Sequence, residues 1–137
     1  MLKPAAFAFA VAAVMTAVLA LPAGAQDHSR TERVQFARGA SSATLHGNLH
    51  GYDTVDYVLG ARRGQTLNVR LQPTNASAYF NITKQGADEA LFIGSTSGNQ
   101  FSGQLPANGD YVVRVYLMRN AARRDEHANY TLTVGVR

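Results

Sequence analysis

Three stretches of the chain, residues 66–72, 111–117 and 130–136, alternate apolar and polar side chains with a period of two. That period sends successive side chains to opposite faces of an extended strand, so each stretch has one apolar face that must be covered. In 66–72, Leu67, Val69 and Leu71 point one way and Asn68 and Arg70 the other. Shorter runs at 34–36, 44–49, 54–59, 79–83, 90–93 and 101–105 extend the pattern; in 54–59, Val55, Tyr57 and Leu59 share a face opposite Asp56 and Val58. Turn formers separate the runs: Gly39 with Ser41-Ser42, Gly51-Tyr52-Asp53, Arg63-Gly64, Pro73, the loop 86–89, the Ser/Gly-rich loop 94–99 and Pro106-Ala107-Asn108-Gly109-Asp110. Beyond the first 25 residues, no stretch of about 11 or more has the 3.6-residue apolar period of a helix. Residues 119–127, with Ala121 and Ala122, suit a single helical turn. About eight short strands, with turns roughly every 8–12 residues, predict an all-β fold, a single antiparallel β-sandwich of jelly-roll type.

The start of the chain has a different character. Lys3 precedes an uncharged run, 5–21, which Pro22 breaks, and Ala23-Gly24-Ala25 supplies the small-x-small pattern that signal peptidase cuts after. Residues 1–25 are expected to be a cleaved signal peptide. Removing those 25 of 137 residues leaves 112, a length that suits one domain. Residues 26–33 read as a disordered polar lead and 34–137 as the sandwich. The uncharged run is about 17 residues, at the short limit for a spanning helix. There is no cysteine, so neither a lipid anchor nor a disulfide nor thiolate chemistry is available. Small secreted eukaryotic domains are commonly disulfide-rich. The expected location is therefore the periplasm of a Gram-negative bacterium, with no membrane insertion after signal cleavage.

Loss of Lys3 takes the 13 Lys and Arg residues to 12, against 9 Asp and Glu, a net charge of +3. That excess is too small for a DNA-sized electrostatic surface, so no nucleic-acid partner is expected. Apart from Lys84, the remaining cations are arginines, whose flat forked donors suit carboxylates and sugars.

Catalytic and metal-binding patterns are weak. His46 and His50 are four apart on a predicted strand, about 13 Å from each other at the usual rise, too far to share one zinc. The acidic pairs Asp53/Asp56, Asp88/Glu89 and Asp125/Glu126 read as solvated turn carboxylates, not as the facing pair of a glycosidase. Asp53 and Asp56 lack the glycine and glutamate of an EF-hand loop. No serine sits in a Gly-x-Ser-x-Gly elbow, and no phosphate-binding glycine loop occurs. Asn75, Asn81 and Asn129 match the glycosylation sequon, which carries no weight in a bacterial protein. The expectation is no enzyme, no metal and no cofactor.

Two loops carry more content. Residues 118–127 join the two strongest strands and are long for a hairpin connection, where two to five residues are usual. One helical turn there would place Arg119 and Arg123 on the same face. The segment reads either as a binding element or as a solvated Arg-rich hairpin that protects a sheet edge. In the second loop Gly51 permits a sharp turn, and Tyr52 is either a flat amphipathic contact residue or packed on the end of the sandwich. Tyr79 and Tyr116 read as core or sheet-face residues.

Taken in order along the chain, the motifs Val34-Gln35-Phe36-Ala37-Arg38-Gly39 with Ser41-Ser42-Ala43, Gly51-Tyr52-Asp53 with Tyr57, Ala61-Arg62-Arg63-Gly64-Gln65, Leu105-Pro106-Ala107-Asn108-Gly109-Asp110-Tyr111, and Arg119-Asn120-Ala121-Ala122-Arg123 together resemble the periplasmic inhibitors of goose-type (g-type) lysozyme. The Gly-Gln turn and the Gly-Asp-Tyr strand start also resemble pre-peptidase C-terminal (PPC-like) sandwich domains. Gly-Tyr-Asp and Arg-Asn-x-Ala-Arg are the specific parts. The resemblance implies an inhibitor with no cofactor, whose loops enter the lysozyme's substrate cleft through Tyr52, Asp53, Arg119, Asn120 and Arg123; a monomer is assumed, since the sequence is silent on oligomeric state. An alternative is a non-catalytic PPC-like envelope domain that binds glycan or another periplasmic protein. One departure from the family pattern is Asp125-Glu126-His127 after Arg124, which puts a carboxylate within reach of Arg123.

Overall fold

The structure, a computed structural model, describes residues 28–137; the expected signal peptide lies outside them. Nine strands and two single helical turns follow in the order β1 (Ser29–Arg33), β2 (Ser42–His50), β3 (Thr54–Ala61), β4 (Thr66–Pro73), β5 (Ala78–Lys84), β6 (Phe92–Ile93), α1 (Gly94–Ser97), β7 (Gln100–Gln104), β8 (Gly109–Leu117), α2 (Arg119–Arg123) and β9 (His127–Val136). They form two sheets, β1-β3-β8-β5-β6 and β2-β9-β4-β7.

The sheets pack face to face because their alternating strands each have one apolar side. Val55, Tyr57 and Leu59 of β3, Phe80 and Ile82 of β5, and Val113 and Val115 of β8 are buried from one sheet; Leu67, Val69 and Leu71 of β4 and Leu132 and Val134 of β9 are buried from the other. The expected faces of 54–59 and 66–72 are therefore those of the core. Within it the Tyr57 and Tyr130 hydroxyls lie 2.7 Å apart, which pairs two polar groups that would be costly to bury alone. A Cβ on Gly47 would run into the Tyr130 ring, so glycine on β2 makes room for the tyrosine opposite it in register. Tyr79 and Tyr116 are half-buried sheet-face residues and sit opposite each other in register.

Four sequence expectations need correction. Residues 34–36 are not a strand. The strand lies just upstream, in part of the lead expected to be disordered: β1 is exposed throughout and runs parallel to β3, held by backbone hydrogen bonds that need no apolar pattern. The Ser/Gly-rich loop 94–99 contains a helical turn, where Gly94 fits against the Phe80 backbone. Finally, β8 and β9 do not form a hairpin. Each needs its apolar face on the common core, and they meet it from opposite sheets.

That last correction positions the site. Connections 51–53, 74–77 and 118–126 each carry the chain from one sheet to the other. Strand order β2-β9-β4 in one sheet matches β3-β8-β5 in the other. The three arches consequently lie side by side at one end of the sandwich, with 118–126 in the middle.

Candidate functional site

In the first arch, the Asp53 amide donates to the His50 carbonyl at 3.1 Å, and Gly51 takes a φ of +60°, a conformation that glycine adopts without cost. Tyr52 projects from the turn, 48% exposed. Asp53 turns back: its carboxylate accepts from the backbone N–H groups of His50 and His28, each at 3.2 Å. Asp53 thus braces the turn and anchors the residue preceding β1.

In the middle arch, Ala121 and Ala122 of α2 are fully buried, while Arg119, Asn120 and Arg123 are exposed. Small apolar residues on one side of the turn let it seat on the core and present the arginines outward. Asn120 Oδ1 accepts from the Ala121 N–H at 2.9 Å. Asp125 has a φ of 55°, and the next residues return to β9.

Direct bonds join the arches. Gly51 N–H donates to the Glu126 carbonyl at 2.9 Å. From the third arch, Asn75 Nδ2 donates to Glu126 Oε1 and to the His127 carbonyl, both at 3.0 Å, and Asn75 Oδ1 accepts from Ser77 N–H at 2.9 Å. The last bond is an Asx-turn that an Asn two residues before Ser announces; the long-range bonds to Glu126 and His127 have no local signal. Imidazoles of His50 and His127 stack beside this junction, ring centroids 4.1 Å apart and 4° from parallel.

Glu126 does not pair with Arg123, the pairing that the acidic departure allowed. Its carboxylate takes Arg124 at 2.7 Å, and hydrogen bonding by Asn75 first, then Arg124, holds its pKa below the ordinary value. Among the described residues, Arg119 and Arg123 have no carboxylate partner.

Tyr52, Asp53 and Arg119 come together around one hollow of about 320 Å³, whose other walls include Arg114, Tyr116 and Leu117. Arg123 is exposed one turn further along α2 and does not line it. Sequence reasoning missed Arg114, which pairs bidentately with Asp56 at 2.7 and 2.9 Å. Hydrogen bonding to that carboxylate raises the guanidinium pKa above its ordinary value. His46 and His50 both lie exposed on β2, and among the described residues no three His, Asp or Glu side chains cluster as metal ligands.

Comparison with known proteins agrees with this architecture. No family model matches the chain. It is 33% identical over 109 residues to the inhibitor of g-type lysozyme of Escherichia coli strain K12, an overlap of 76% of this chain and 79% of that one. The crystal structure of an Aeromonas hydrophila periplasmic inhibitor of g-type lysozyme is similar, with a TM-score of 0.74 and 41% identity, over 82% of this chain and all of that one. A Salmonella Typhimurium inhibitor of the same kind gives a TM-score of 0.62 and 27% identity, over 79% of this chain and 98% of that one. The pre-peptidase C-terminal domain of a Bacillus anthracis collagenase shares the fold alone, with a TM-score of 0.52 at 14% identity, over 83% of this chain and 99% of that one. By identity and coverage, this chain belongs to the family of inhibitors of g-type lysozyme.

Proposed function

We propose that the protein is a periplasmic inhibitor of g-type lysozyme that acts stoichiometrically, by inserting its 51–53 and 118–126 arches into the enzyme's substrate cleft. The observation that carries this reading is the exposure of Tyr52 and Arg119 on adjoining arches that are bonded to each other. Their relatives are named as inhibitors of the same lysozyme class. A muramidase cleft is built around carboxylic acids, and an unpaired guanidinium entering it makes charge-assisted, often bidentate hydrogen bonds. Arg119 and Arg123 supply those guanidinia, Tyr52 supplies flat contact area, and Asp53 holds the turn behind it. Tyr and Arg are common among residues that dominate binding energy. The mutual bracing of the arches lowers the ordering cost of association.

The test is lysis of peptidoglycan by a g-type lysozyme, titrated with residues 26–137. Inhibition is expected to saturate near one-to-one, and the Arg119→Ala/Arg123→Ala double variant is expected to lose it while melting like the parent. A folded protein that leaves lysis unchanged at micromolar concentration refutes the proposal.

A further inference from the structure

The outer faces of the two sheets differ in how their polar groups are met. On the β1-β3-β8-β5-β6 sheet they meet each other: Arg114 pairs with Asp56, Arg33 with Asp110, and the Tyr116 hydroxyl donates to Asn81 Oδ1 at 2.9 Å. The strands β2, β9, β4 and β7 contain no Asp or Glu. Their outward side chains are Ser, Thr, Asn, Gln and His, and Arg70 is the only Lys, Arg, Asp or Glu among them. A face kept polar for solubility alone carries charges of both signs, at about a quarter to a third of its positions. We propose that this acid-free face is a glycan-binding surface whose ligand is the N-acetylated sugar strand of peptidoglycan, the carboxylate-bearing polymer of the periplasm. The proposal stands apart from the inhibitor reading and uses neither the 51–53 nor the 118–126 arch.

Amides and hydroxyls form rungs across these strands. Asn48 faces Asn129; His46, Thr131 and Gln72 make the next rung, and Thr44, Thr133, Arg70 and Gln100 the one after. The face is hollowed. His46, Asn48, Gln72, Thr74, Asn129 and Thr131 are in the lining of a hollow of about 430 Å³, and Ser42, Asn68, Arg70, Gln100 and Thr133 are in that of one of about 450 Å³. Thr131 and Thr133 are two residues apart on β9, so the hollows adjoin and make a track along the strand. From Asn129 to Gly135 that track runs about 20 Å at the usual rise, room for several linked sugar rings.

Most of this hydrogen-bonding capacity is open to a ligand. Thr131 and His46 share one bond, at 3.3 Å, and the Thr74 hydroxyl accepts from the Asn129 backbone N–H at 2.9 Å. The side-chain amides of Asn48, Asn129, Gln72, Asn68 and Gln100 have no partner among the described residues. Each amide offers donors and an acceptor side by side, which suits sugar hydroxyls and N-acetyl groups. Arg70 has no carboxylate partner among the described residues, and its forked guanidinium suits the carboxylates on the lactyl groups and stem peptides of peptidoglycan. The sheet has no acid to repel them. Because the track runs along the strands and the arches cap one end of them, a protein held on the polymer here keeps Tyr52 and Arg119 free.

Co-sedimentation of residues 26–137 with purified, insoluble peptidoglycan tests the assignment, at about 0.1 M and about 1 M salt so that long-range attraction is screened in the second. The parent protein is expected to sediment with the polymer at both. Asn48→Ala/Gln72→Ala removes two exposed amides, and Thr131→Glu puts a carboxylate in the centre of the track. Each is expected to weaken binding about tenfold or more while melting like the parent. Thr83→Ala, on the outer face of the other sheet, is expected to bind like the parent. Titration of the parent with an uncharged oligomer of N-acetylglucosamine is expected to shift amide resonances of β2, β9 and β4, which separates the sugar strand from the stem peptides and needs no variant to fold. Absence of those shifts, loss of sedimentation at the higher salt, or equal binding by the parent, Asn48→Ala/Gln72→Ala and Thr131→Glu overturns the proposal. None of these outcomes bears on lysozyme inhibition, which is measured separately.

Discussion

The backbone N–H of Gly51 donates to the carbonyl of Glu126 across 2.9 Å. This one bond ties the arch carrying Tyr52 to the arch carrying Arg119, and it depends on Gly51 holding a φ of +60°. The two arches that carry the exposed side chains are thus joined directly through backbone.

Gly51→Ala tests that dependence. A Cβ there would sit 3.2 Å from Asp125 Oδ1 and 3.6 Å from the Ala122 carbonyl, and a left-handed backbone costs a residue with a Cβ roughly 1–2 kcal/mol. The variant is expected to melt at lower temperature and to inhibit more weakly than a variant of equal stability altered in the β5–β6 connection. Inhibition equal to wild type would show that the arches need no such coupling.

Asp53→Ala removes the acceptor for two backbone N–H groups. A loss of about 1–3 kcal/mol is expected, with faster amide exchange at His50 and along β1. Asp53→Asn keeps one acceptor oxygen and is expected to retain part of the protection. Wild-type exchange in Asp53→Ala would assign Asp53 to partner contact alone.

At high pH the Tyr57–Tyr130 pair becomes the sensitive element. Burial, followed by the hydrogen bond to Tyr57, pushes the Tyr130 hydroxyl well above its ordinary 10.0. A group whose folded pKa is raised contributes stability below the unfolded value, and that contribution is lost as pH rises through the folded one. Unfolding free energy is therefore expected to fall from about pH 10 upward, and Tyr130→Phe is expected to flatten that slope. Denaturant titrations at pH 8 to 11 measure both curves; equal slopes would remove Tyr130 as the cause.

Acid acts through Glu126. Asn75 and Arg124 hold its pKa below the ordinary 4.5. A depressed carboxylate contributes stability above the unfolded value and loses it as pH falls through the folded one. Glu126→Gln is expected to be slightly less stable than wild type at pH 7, with the difference shrinking below about pH 4.5. A chemical-shift titration of the Glu126 carboxyl carbon checks the direction of the shift independently.

Strand positions were legible because alternation is a local property. Leu67, Val69 and Leu71 lie on the core side because successive side chains of any strand point oppositely. Ala121 and Ala122 marked the helical turn between the last strands, and Arg119 and Arg123 followed as its exposed residues. β1 left no such trace: Ser29–Arg33 is exposed throughout and owes its conformation to backbone bonding with β3. The pairing of Glu126 was equally hidden, since Arg123 and Arg124 are both near in sequence and the choice between them depends on chain direction after Asp125.

Composition, turn chemistry and period-two patterning by themselves determined an all-β chain of short strands with one apolar face each, and they marked Arg119 and Arg123 as residues with no evident place in a core, while leaving Tyr52 open between contact and packing. Tertiary structure alone decided which strands share a sheet. An apolar face demands cover but does not name the strand that covers it, so β8 and β9 satisfy the same pattern as a hairpin or as facing layers. Facing layers make 51–53, 74–77 and 118–126 parallel arches, bring Gly51, Asn75 and Glu126 into hydrogen-bonding distance, and open the hollow between Tyr52 and Arg119. Those contacts join residues far apart along the chain, and nothing local encodes them.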